Sequence, residues 1–396
     1  MTDGAPEEDL GDRIAALVQN AYHELSPACK PVVRSNGLKE WTVLAGTLAV
    51  SADKASGRSQ LRLISIATGV KALPDVALTR SRGRMVHDCH AEILALRGFN
   101  TVILEHINYL KENPLWNSDL IERRSTGSYA LKSEWELALY VSTLPCGDAS
   151  MIPLSKTAQA ETDEYSKLSF EEGDRIQWID EKIRTIIRGR FNYGKLGVVR
   201  TKPGRYDSQI TYSKSCSDKL CAMQIASVLN SLTWDLMEVP VFLKYLVIPN
   251  ESHSLDLCRS FRDRLAPMSY QPFEFLTCNS CFCGGKSDAT DEPSSMACVK
   301  LFTDVPNVDN IEQAILNGVR NGFYTKGDKP LRINCEPIVS RRAQWKLFTK
   351  IRPELSTDTY LTFKASQHAR NKLIYDTRRT LSADGWIKTQ IDDCQL

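Results

Sequence analysis

Three short segments, far apart in the chain, carry side chains that hold a metal ion only if the fold brings them together. They are residues 87–93 (HDCHAEI), 144–148 (LPCGD) and 213–219 (SKSCSDK). A catalytic zinc takes three protein ligands from His, Cys or carboxylate and keeps a fourth position for water. His90, Cys146 and Cys216 match that count. The chain is therefore predicted to adopt a fold in which these segments meet around one zinc.

The sequence around each candidate ligand predicts a helix start or a strand end. His90 opens a helix predicted over 88–106. Cys146 follows a β-prone run over 134–143, at a Pro-Cys-Gly turn, and Cys216 lies where a neighbouring serine can cap another helix. The start of a helix lowers thiol pKa values and favours the thiolate that zinc needs.

Glu92 follows His90 at the spacing that puts a carboxylate beside a bound metal without making it a ligand. In zinc deaminases this glutamate is the general acid/base, and the two thiolates usually share one Pro-Cys-x-x-Cys turn. Here Ala149 occupies the last position of that turn, so the second thiolate has to come from the distant Cys216. Each residue alone also fits a helix-start histidine or a buried thiol. The combination favours the metal site.

Strand and helix patterns alternate along most of the chain and predict an α/β layered fold. The pattern places an amphipathic helix at 9–25 and a strand hairpin at 41–51 and 60–67. We found no clear linker, so we expect one large domain over 1–396, with a variable insertion near 250–295. Further elements are predicted as helical period within 161–190, a loop at 194–211, a helix at 217–233, a strand at 238–248, a loop at 278–295 and a helix at 358–379.

Composition limits the class of protein. Hydrophobic residues make up 42% and charged residues 25% of the 396 residues, as in globular proteins, and no apolar run reaches the ~20 residues of a membrane span. The acidic N-terminus has no apolar core, so no signal peptide is predicted and we expect an intracellular protein, in nucleus or cytoplasm. The 12 cysteines are then thiols or metal ligands. The net charge of +2 neither indicates nor excludes a local basic groove for nucleic acid.

The separation of the two cysteine ligands is where the chain resembles the ADAR-type adenosine deaminases, which edit adenosine to inosine in RNA. The resemblance is carried by residues 88–93, 145–147 and 215–219. Residues 201–205 (TKPGR), just before the third segment, resemble the tRNA-acting branch. No double-stranded-RNA-binding domain precedes the deaminase region, which agrees with that branch.

The resemblance implies a fold, an activity and a partner. The fold is expected to be a cytidine-deaminase-like three-layer core, a central mixed sheet flanked by helices, elaborated into one deaminase domain. The activity is expected to be hydrolytic deamination of adenosine to inosine in tRNA, at position 37 next to the anticodon of tRNA(Ala), with Glu92 as the catalytic residue. The anticodon stem-loop is the expected partner, with no membrane and no obligate protein partner.

Family members also bury inositol hexakisphosphate, because clustered cations destabilise a core unless a polyanion neutralises them. Some positions of that site are altered here: Arg370, for example, falls where a tyrosine is expected. Without the resemblance, each Lys or Arg would be interpreted as a solvated surface charge. The positions that match the site are Arg97, Lys219, Ser231, Tyr360, Lys364, Trp386 and Lys388.

Substrate contacts are predicted in two places. Residues 68–71 (TGVK) resemble the family loop that approaches the target nucleotide, which assigns Lys71 to substrate binding. A basic loop with interleaved tyrosines contains Lys202 and Arg205, which suits phosphate contact and base stacking. A mobile surface loop fits the same residues equally well.

Three alternatives stay open from the sequence. The first is a deaminase that acts on free nucleosides or on cytosine. The second is an RNA-binding relative without catalytic activity. A second, structural zinc is a further possibility, although free thiols in a variable insertion fit the same cysteines better. Its ligands would be Cys278, Cys281, Cys283 and Cys298.

Overall fold

A central eight-stranded sheet with helices on both faces forms the architecture, which confirms the predicted α/β fold class. The computed structural model describes residues 9–51, 59–153, 177–189, 192–202, 208–249, 254–288, 290–327 and 329–395. The helices in these ranges are α1 (Leu10–His23), α2 (Ala91–Glu112), α3 (Cys216–Ala226), α4 (Ser231–Leu236), α5 (Ser254–Phe261), α6 (Arg341–Ile351), α7 (Tyr360–Ser366) and α8 (His368–Leu381). None of the helices in the described part is long and apolar enough to cross a membrane.

The strands of the described residues form one large sheet and several short pairs. The large sheet has the order β12-β11-β8-β2-β3-β14-β15-β16. β8, β11 and β12 are parallel to one another and the other neighbours are antiparallel, so the sheet is mixed as predicted. The strands are β1 (Glu40–Trp41), β2 (Leu44–Ser51), β3 (Gln60–Thr68), β4 (Val70–Ala72), β5 (Asp88–His90), β6 (Ile121–Arg123), β7 (Tyr129–Leu131), β8 (Trp135–Val141), β9 (Ile186–Ile187), β10 (Val199–Arg200), β11 (Leu243–Pro249), β12 (Glu274–Cys278), β13 (Glu292–Pro293), β14 (Met296–Leu301), β15 (Glu312–Leu316) and β16 (Val319–Arg320).

Alternation along the strands divides the core between the two faces of the sheet. In β2, Leu44 and Leu48 belong to the buried cluster under α1, whereas Ala45 and Ala49 belong to the larger cluster around α2. α1 approaches closely at Gly46, where a Cβ would lie 2.7 Å from a methyl group of Val18. The predicted hairpin is therefore the centre of the sheet, covered on both faces.

One edge of this sheet collects the segments that carry the candidate ligands. β3 and β8 end there, because both are antiparallel to β2, which begins there. The chain leaves β3 through Gly69 into β4, which pairs with β5, and α2 follows β5 directly. The amide of Ala91 donates to the carbonyl of Gly69 at 3.0 Å and holds the start of α2 at this edge.

Several predicted elements differ from the observed ones in their limits. The helix predicted over 88–106 begins only at Ala91, because residues 88–90 pair as β5. The helix predicted over 217–233 is interrupted at Ser227, whose φ of 92° is incompatible with a helix. The C-terminal helix is divided by Gln367. Most of the range 161–190 lies outside the described residues, and the division into domains stays a prediction.

Within the range 250–295, predicted to be a variable insertion, the described residues supply part of the central sheet. β12 pairs with β11 along five residues and forms the edge of the sheet. α5 precedes it, and Phe261 at the end of α5 is fully buried. The loop predicted from Cys278 onward is confirmed over most of its described length, with the short β13 within it.

Candidate active site

The structure brings the three predicted ligands together. The Nδ1 atom of His90 lies 3.6 Å from the Sγ atom of Cys146 and 3.7 Å from that of Cys216. All three donor atoms lie within 4.8 Å of one another. One imidazole nitrogen and two sulfurs at this separation suit the coordination preferences of zinc.

Three local structures point the ligands inward. His90 is the N-cap residue of α2, and Cys216 is the first residue of α3. The side chain of Ser215 caps α3 by accepting a hydrogen bond from the amide of Asp218. Cys146 reaches the same point because its Sγ atom accepts from the amide of Cys216 at 3.3 Å. The first amide of α3 therefore contacts the Cys146 sulfur and favours its thiolate form.

Gly147 permits the close contact between the Cys146 turn and the Cys216 helix. Its φ is +103°, and a Cβ at this position would lie 2.1 Å from the Oγ atom of Ser215. A side chain would therefore push the two thiol segments apart and strain the backbone.

We expect Gly147→Ala to lower the free energy of unfolding by about 2 kcal/mol or more and to weaken metal binding. Gly127→Ala is the matched control, because Gly127 also has a positive φ (+88°) but nothing within 4 Å of its Cβ position. Thermal unfolding and metal content of both variants check this. Equal losses in the two variants would show that backbone strain, and not the contact with Ser215, causes the effect.

Glu92 lies beside the ligands in a buried position. It is 2% exposed, and its Oε2 atom has no hydrogen-bond partner among the described residues. Burial raises the pKa of Glu92, and the negative charge of Cys146 adds to the rise. An unpartnered buried carboxylate oxygen with a raised pKa suits a group that takes up and returns a proton.

Asp88 connects the metal site to two lysines. Its carboxylate accepts from the Nζ atom of Lys202 at 2.7 and 2.8 Å and also from that of Lys219. Burial alone would raise the pKa of Asp88, but the two ammonium groups hold it well below its ordinary value. The Lys202 ammonium also donates to the Sγ atom of Cys216 at 3.2 Å. This network supplies positive charge next to the thiols.

The two thiols differ in their electrostatic environment. The hydrogen bond from Cys216, with further help from Lys202 and His90, lowers the pKa of Cys146 well below its ordinary value. Burial raises the pKa of Cys216, and the charge of Cys146 adds to the rise. The negative charge of one thiolate thus disfavours deprotonation of the other thiol. A shared cation would remove this effect, since a metal deprotonates the thiols that coordinate it.

A second group of side chains, here called the cationic cluster, lies around the C-terminal helices. Arg370 donates to the Oγ atom of Ser231 at 3.3 Å, and Arg341 stacks over the ring of Tyr360 at 4.9 Å. Arg370 Nε and Trp386 Nε1 have no hydrogen-bond partner among the described residues. The members are Arg97, Lys214, Ser231, Arg341, Tyr360, Lys364, Arg370, Arg378 and Trp386.

Burial and mutual repulsion act on the cations of this cluster. Burial lowers the pKa of Arg97, and the charge of Arg341 lowers it further. Tyr360 raises the pKa of Lys364, yet burial and neighbouring arginines bring it below its ordinary value. Burial, with Lys219 and Arg378, lowers the pKa of Lys214 to about 7. Arg341 pairs with Asp392, but the other cations of the cluster have no carboxylate partner among the described residues, which fits a polyanion site.

The structure places the predicted polyphosphate and substrate residues differently. Lys219 bonds Asp88 and Ser213, next to the metal site, and Lys388 is exposed. Lys71 is exposed on β4, the strand that pairs with the His90 strand. Lys202, predicted to contact RNA, is only 3% exposed and is bound to Asp88 and Cys216, so its ammonium does not face a surface. Arg205 lies outside the described residues.

Some functional residues were missed by the sequence analysis. Lys214, Arg341 and Arg378 join the cationic cluster; Lys214 lies in the third ligand segment, whereas the neighbours of Arg341 and Arg378 in sequence give no motif. Asp148, which follows the Pro-Cys-Gly turn, is fully buried and accepts from Arg259 at 3.0 Å. The only sequence signal for the role of Asp148 was its position directly after the Pro-Cys-Gly turn.

The four cysteines considered for a second zinc do not gather. Among the described residues, the only groups of three donor atoms close enough to share a metal are the His90 site and a group formed by His106, Asp119 and Asp304. In the latter, Arg62 pairs with both aspartates and thus already supplies the positive charge. Cys278 and Cys298 are buried and the other two thiols are exposed, which favours free thiols.

The fold is a mixed sheet with helices on both faces. One His and two Cys donors lie at its edge, with a buried glutamate beside them. These features define the metal-dependent deaminase class. Residues 65–379 match the family model described as the adenosine-deaminase (editase) domain. The chain belongs to this adenosine deaminase family.

Named relatives agree with that membership. The chain is 50% identical over 396 residues to a tRNA-specific adenosine deaminase 1 of Saccharomyces cerevisiae, covering 98% of this chain and 95% of the relative. It is 40% identical to the protein of the same name in Schizosaccharomyces pombe, covering 88% of each chain. Identity to the rat double-stranded RNA-specific editase B2 is 24%, over 68% of this chain and 34% of that protein.

Proposed function

We propose that this protein is a zinc-dependent hydrolase that converts adenosine to inosine in tRNA, at position 37 next to the anticodon of tRNA(Ala). The convergence of His90, Cys146 and Cys216 beside the buried Glu92 is the observation that carries the proposal. The substrate class is supported by the two fungal relatives, whose names state that they are tRNA-specific.

The roles of the side chains follow from their positions. When bound, zinc lowers the pKa of a coordinated water molecule and so supplies a nucleophile near neutral pH. Glu92 would take a proton from the attacking water, deliver it to the ring nitrogen of the adenine, and assist the departure of ammonia. Its raised pKa keeps the carboxylate able to exchange protons in both directions. His90, Cys146 and Cys216 would hold the metal beside this carboxylate.

Asp88 and Lys202 are positioning residues in this scheme. The Lys202 ammonium donates to Cys216 and to Asp88, so it stabilises the thiolate while it is itself neutralised. Asp88 also accepts from the amide of His90 at 3.1 Å, which fixes the backbone of the first ligand. The pair thereby holds two of the three ligands.

The cationic cluster is proposed to hold inositol hexakisphosphate, as the resemblance implies. Its support is the set of buried cations that repel one another and the unpartnered donors of Arg370 and Trp386. Lys219 donates to Asp88, and its charge helps to lower the pKa of Lys214, so it lies between the metal site and the cationic cluster. The exposed Lys388 contributes only at the margin of such a site.

We expect acid extracts of the purified protein to contain inositol hexakisphosphate, and we expect Lys364→Met to reduce the amount. Tyr360 raises the pKa of Lys364, but burial and the neighbouring arginines bring it below its ordinary value, so a bound polyanion would stabilise its charge. Lys346→Met is the matched control, because Lys346 is exposed on α6. Extracts free of inositol phosphates from both proteins would contradict the proposed polyanion site.

Contacts to the substrate are proposed for Lys71 and Arg205. Support for Lys71 is its exposure on β4 next to the His90 strand. Arg205 rests on the sequence pattern alone. Lys202 is better assigned to the metal site, because its ammonium is bound to Asp88 and Cys216.

An assay with three substrates tests the proposed function against its alternatives. Purified protein is incubated with tRNA(Ala), free adenosine and free cytidine, and the nucleosides are identified by mass. Inosine from tRNA alone supports the proposal. Inosine or uridine from a free nucleoside would instead indicate a nucleoside deaminase, and tRNA binding without any product would indicate an inactive relative.

A further inference from the structure

The segment that follows β15 returns to the edge of the sheet that carries the metal ligands. Asn317 and Gly318, with φ values of 48° and 78°, form a two-residue turn between β15 and β16. The carbonyl of Gly318 accepts from the amide of Val86 at 2.8 Å. Val86 lies four residues before His90, so this turn packs against the segment that leads into the metal site.

The residues beyond this turn are fixed to the segment before His90. The short helical turn Asp75–Arg80 ends in Arg80, whose guanidinium donates to the carbonyls of Thr325, Gly327 and Lys329 at 2.6–2.8 Å. Tyr324 stacks against the same guanidinium at 5.7 Å. Below this contact lies a small buried cluster of Leu73, Met85, Val319 and Cys335. The described residues within 80–84 and 320–332 form a surface, here called the basic rim, that is therefore well anchored.

The basic rim concentrates positive charge on a nearly neutral chain. The whole protein has a net charge of +2, but the sequence of the rim contains a single acidic residue, Asp328. The remainder of the chain is consequently net negative. The basic residues of the rim are Arg80, Arg82, Arg84, Arg320, Lys326, Lys329 and Arg332.

Among the described residues, no carboxylate forms an ion pair with a cation of the rim. In the described ranges, ion pairs close to the rim are made by Arg341 and Arg342, which lie outside it. Rim arginines bond backbone carbonyls instead: Arg332 donates to that of Gly322 at 3.0 Å and Arg320 to that of Asn334 at 3.4 Å. The side chains that are most open to solvent belong to Arg82, Lys326, Lys329 and Arg332.

We propose that the basic rim binds phosphates of the tRNA backbone next to the nucleotide that enters the metal site. This inference rests on the proposed function. Fixed cations without carboxylate partners release counterions when they meet phosphates, which is the main source of affinity for nucleic acid. Phosphate contacts also set the orientation of the bound RNA. Positive charge concentrated on a chain whose remainder is net negative attracts RNA preferentially to this edge.

The test is the salt dependence of tRNA binding by the full chain and by the double variant Lys326→Gln/Lys329→Gln. Loss of two phosphate contacts should reduce the slope of log affinity against log salt by about 1.5 to 2. At 0.1 M salt the Kd should rise roughly tenfold or more. We expect kcat at saturating tRNA to stay unchanged, because neither lysine belongs to the metal site.

The double variant Lys346→Gln/Lys350→Gln is the control with the same charge change. Both lysines are exposed on α6, and Lys350 lies near Glu105 in the second half of α2, remote from the start of that helix at His90. We expect its Kd and salt slope to equal those of the unmodified chain. Equal values for both double variants, with tRNA still deaminated, would overturn the inference and leave the proposed function intact. Failure of the unmodified chain to convert tRNA would overturn the proposed function itself.

Discussion

We expect replacement of Glu92 by Gln to lower inosine formation by roughly 10²–10⁴-fold and to leave the metal content unchanged. The amide keeps the shape of the side chain but cannot take a proton from water. Glu92 is adjacent to the candidate ligands yet is not one of them, so its replacement should leave metal binding intact. Single-turnover deamination of tRNA, with metal analysis of the same preparation, measures both quantities.

Glu105→Gln is the control for that variant. Glu105 lies on the same helix, α2, and burial also raises the pKa of its carboxyl. Its position is 13 residues beyond Glu92, so the loss of its charge leaves the metal site untouched. We expect activity close to that of the unmodified protein. Full activity in Glu92→Gln would refute the role given to Glu92.

Asp88→Asn is expected to destabilise the protein by about 3–5 kcal/mol and to weaken metal binding. The substitution leaves the ammonium groups of Lys202 and Lys219 without their carboxylate, and that of Lys202 is buried. The amide of His90 and the thiol of Cys216 also lose the network that positions them. Denaturant unfolding gives the change in stability, and metal titration gives the change in affinity.

The stabilising contribution of Asp88 also predicts a pH dependence. Its pKa in the folded protein is well below the ordinary value near 4, so the contribution is present above about pH 4 and is lost as pH falls further. Asp376→Asn is the control, because its partner Lys372 is 77% exposed and such pairs contribute little. A loss in Asp88→Asn no larger than that in Asp376→Asn would contradict the role of the buried network.

Much of the metal site could be predicted from the sequence because its chemistry is local. His90 and Glu92 are two residues apart at a helix start, and each cysteine follows a turn or capping residue that is visible in the sequence. The fold class followed from the alternation of strands and helices. The sequence could not show that a strand, β5, precedes α2. Its three residues form a strand because they pair with β4, which lies elsewhere in the sequence.

The assignments that depend on long-range packing were harder to predict. Lys202 belongs to a basic loop in sequence, and only the tertiary structure shows its ammonium turned inward to Asp88. Arg341 and Arg378 reach the cationic cluster from helices that show only surface patterns in sequence. The basic rim likewise arises from two segments more than 200 residues apart, joined through Arg80.

The most direct test of hydrolytic deamination at this site is mass analysis of tRNA(Ala) nucleosides after reaction in ¹⁸O-labelled water. If water supplies the new oxygen with Glu92 as proton carrier, inosine appears at position 37 and carries one ¹⁸O atom. Protein stripped of its metal should give no product. Absence of inosine with the metal-loaded protein, or inosine without the label, would contradict a water-dependent deaminase built on His90, Cys146 and Cys216.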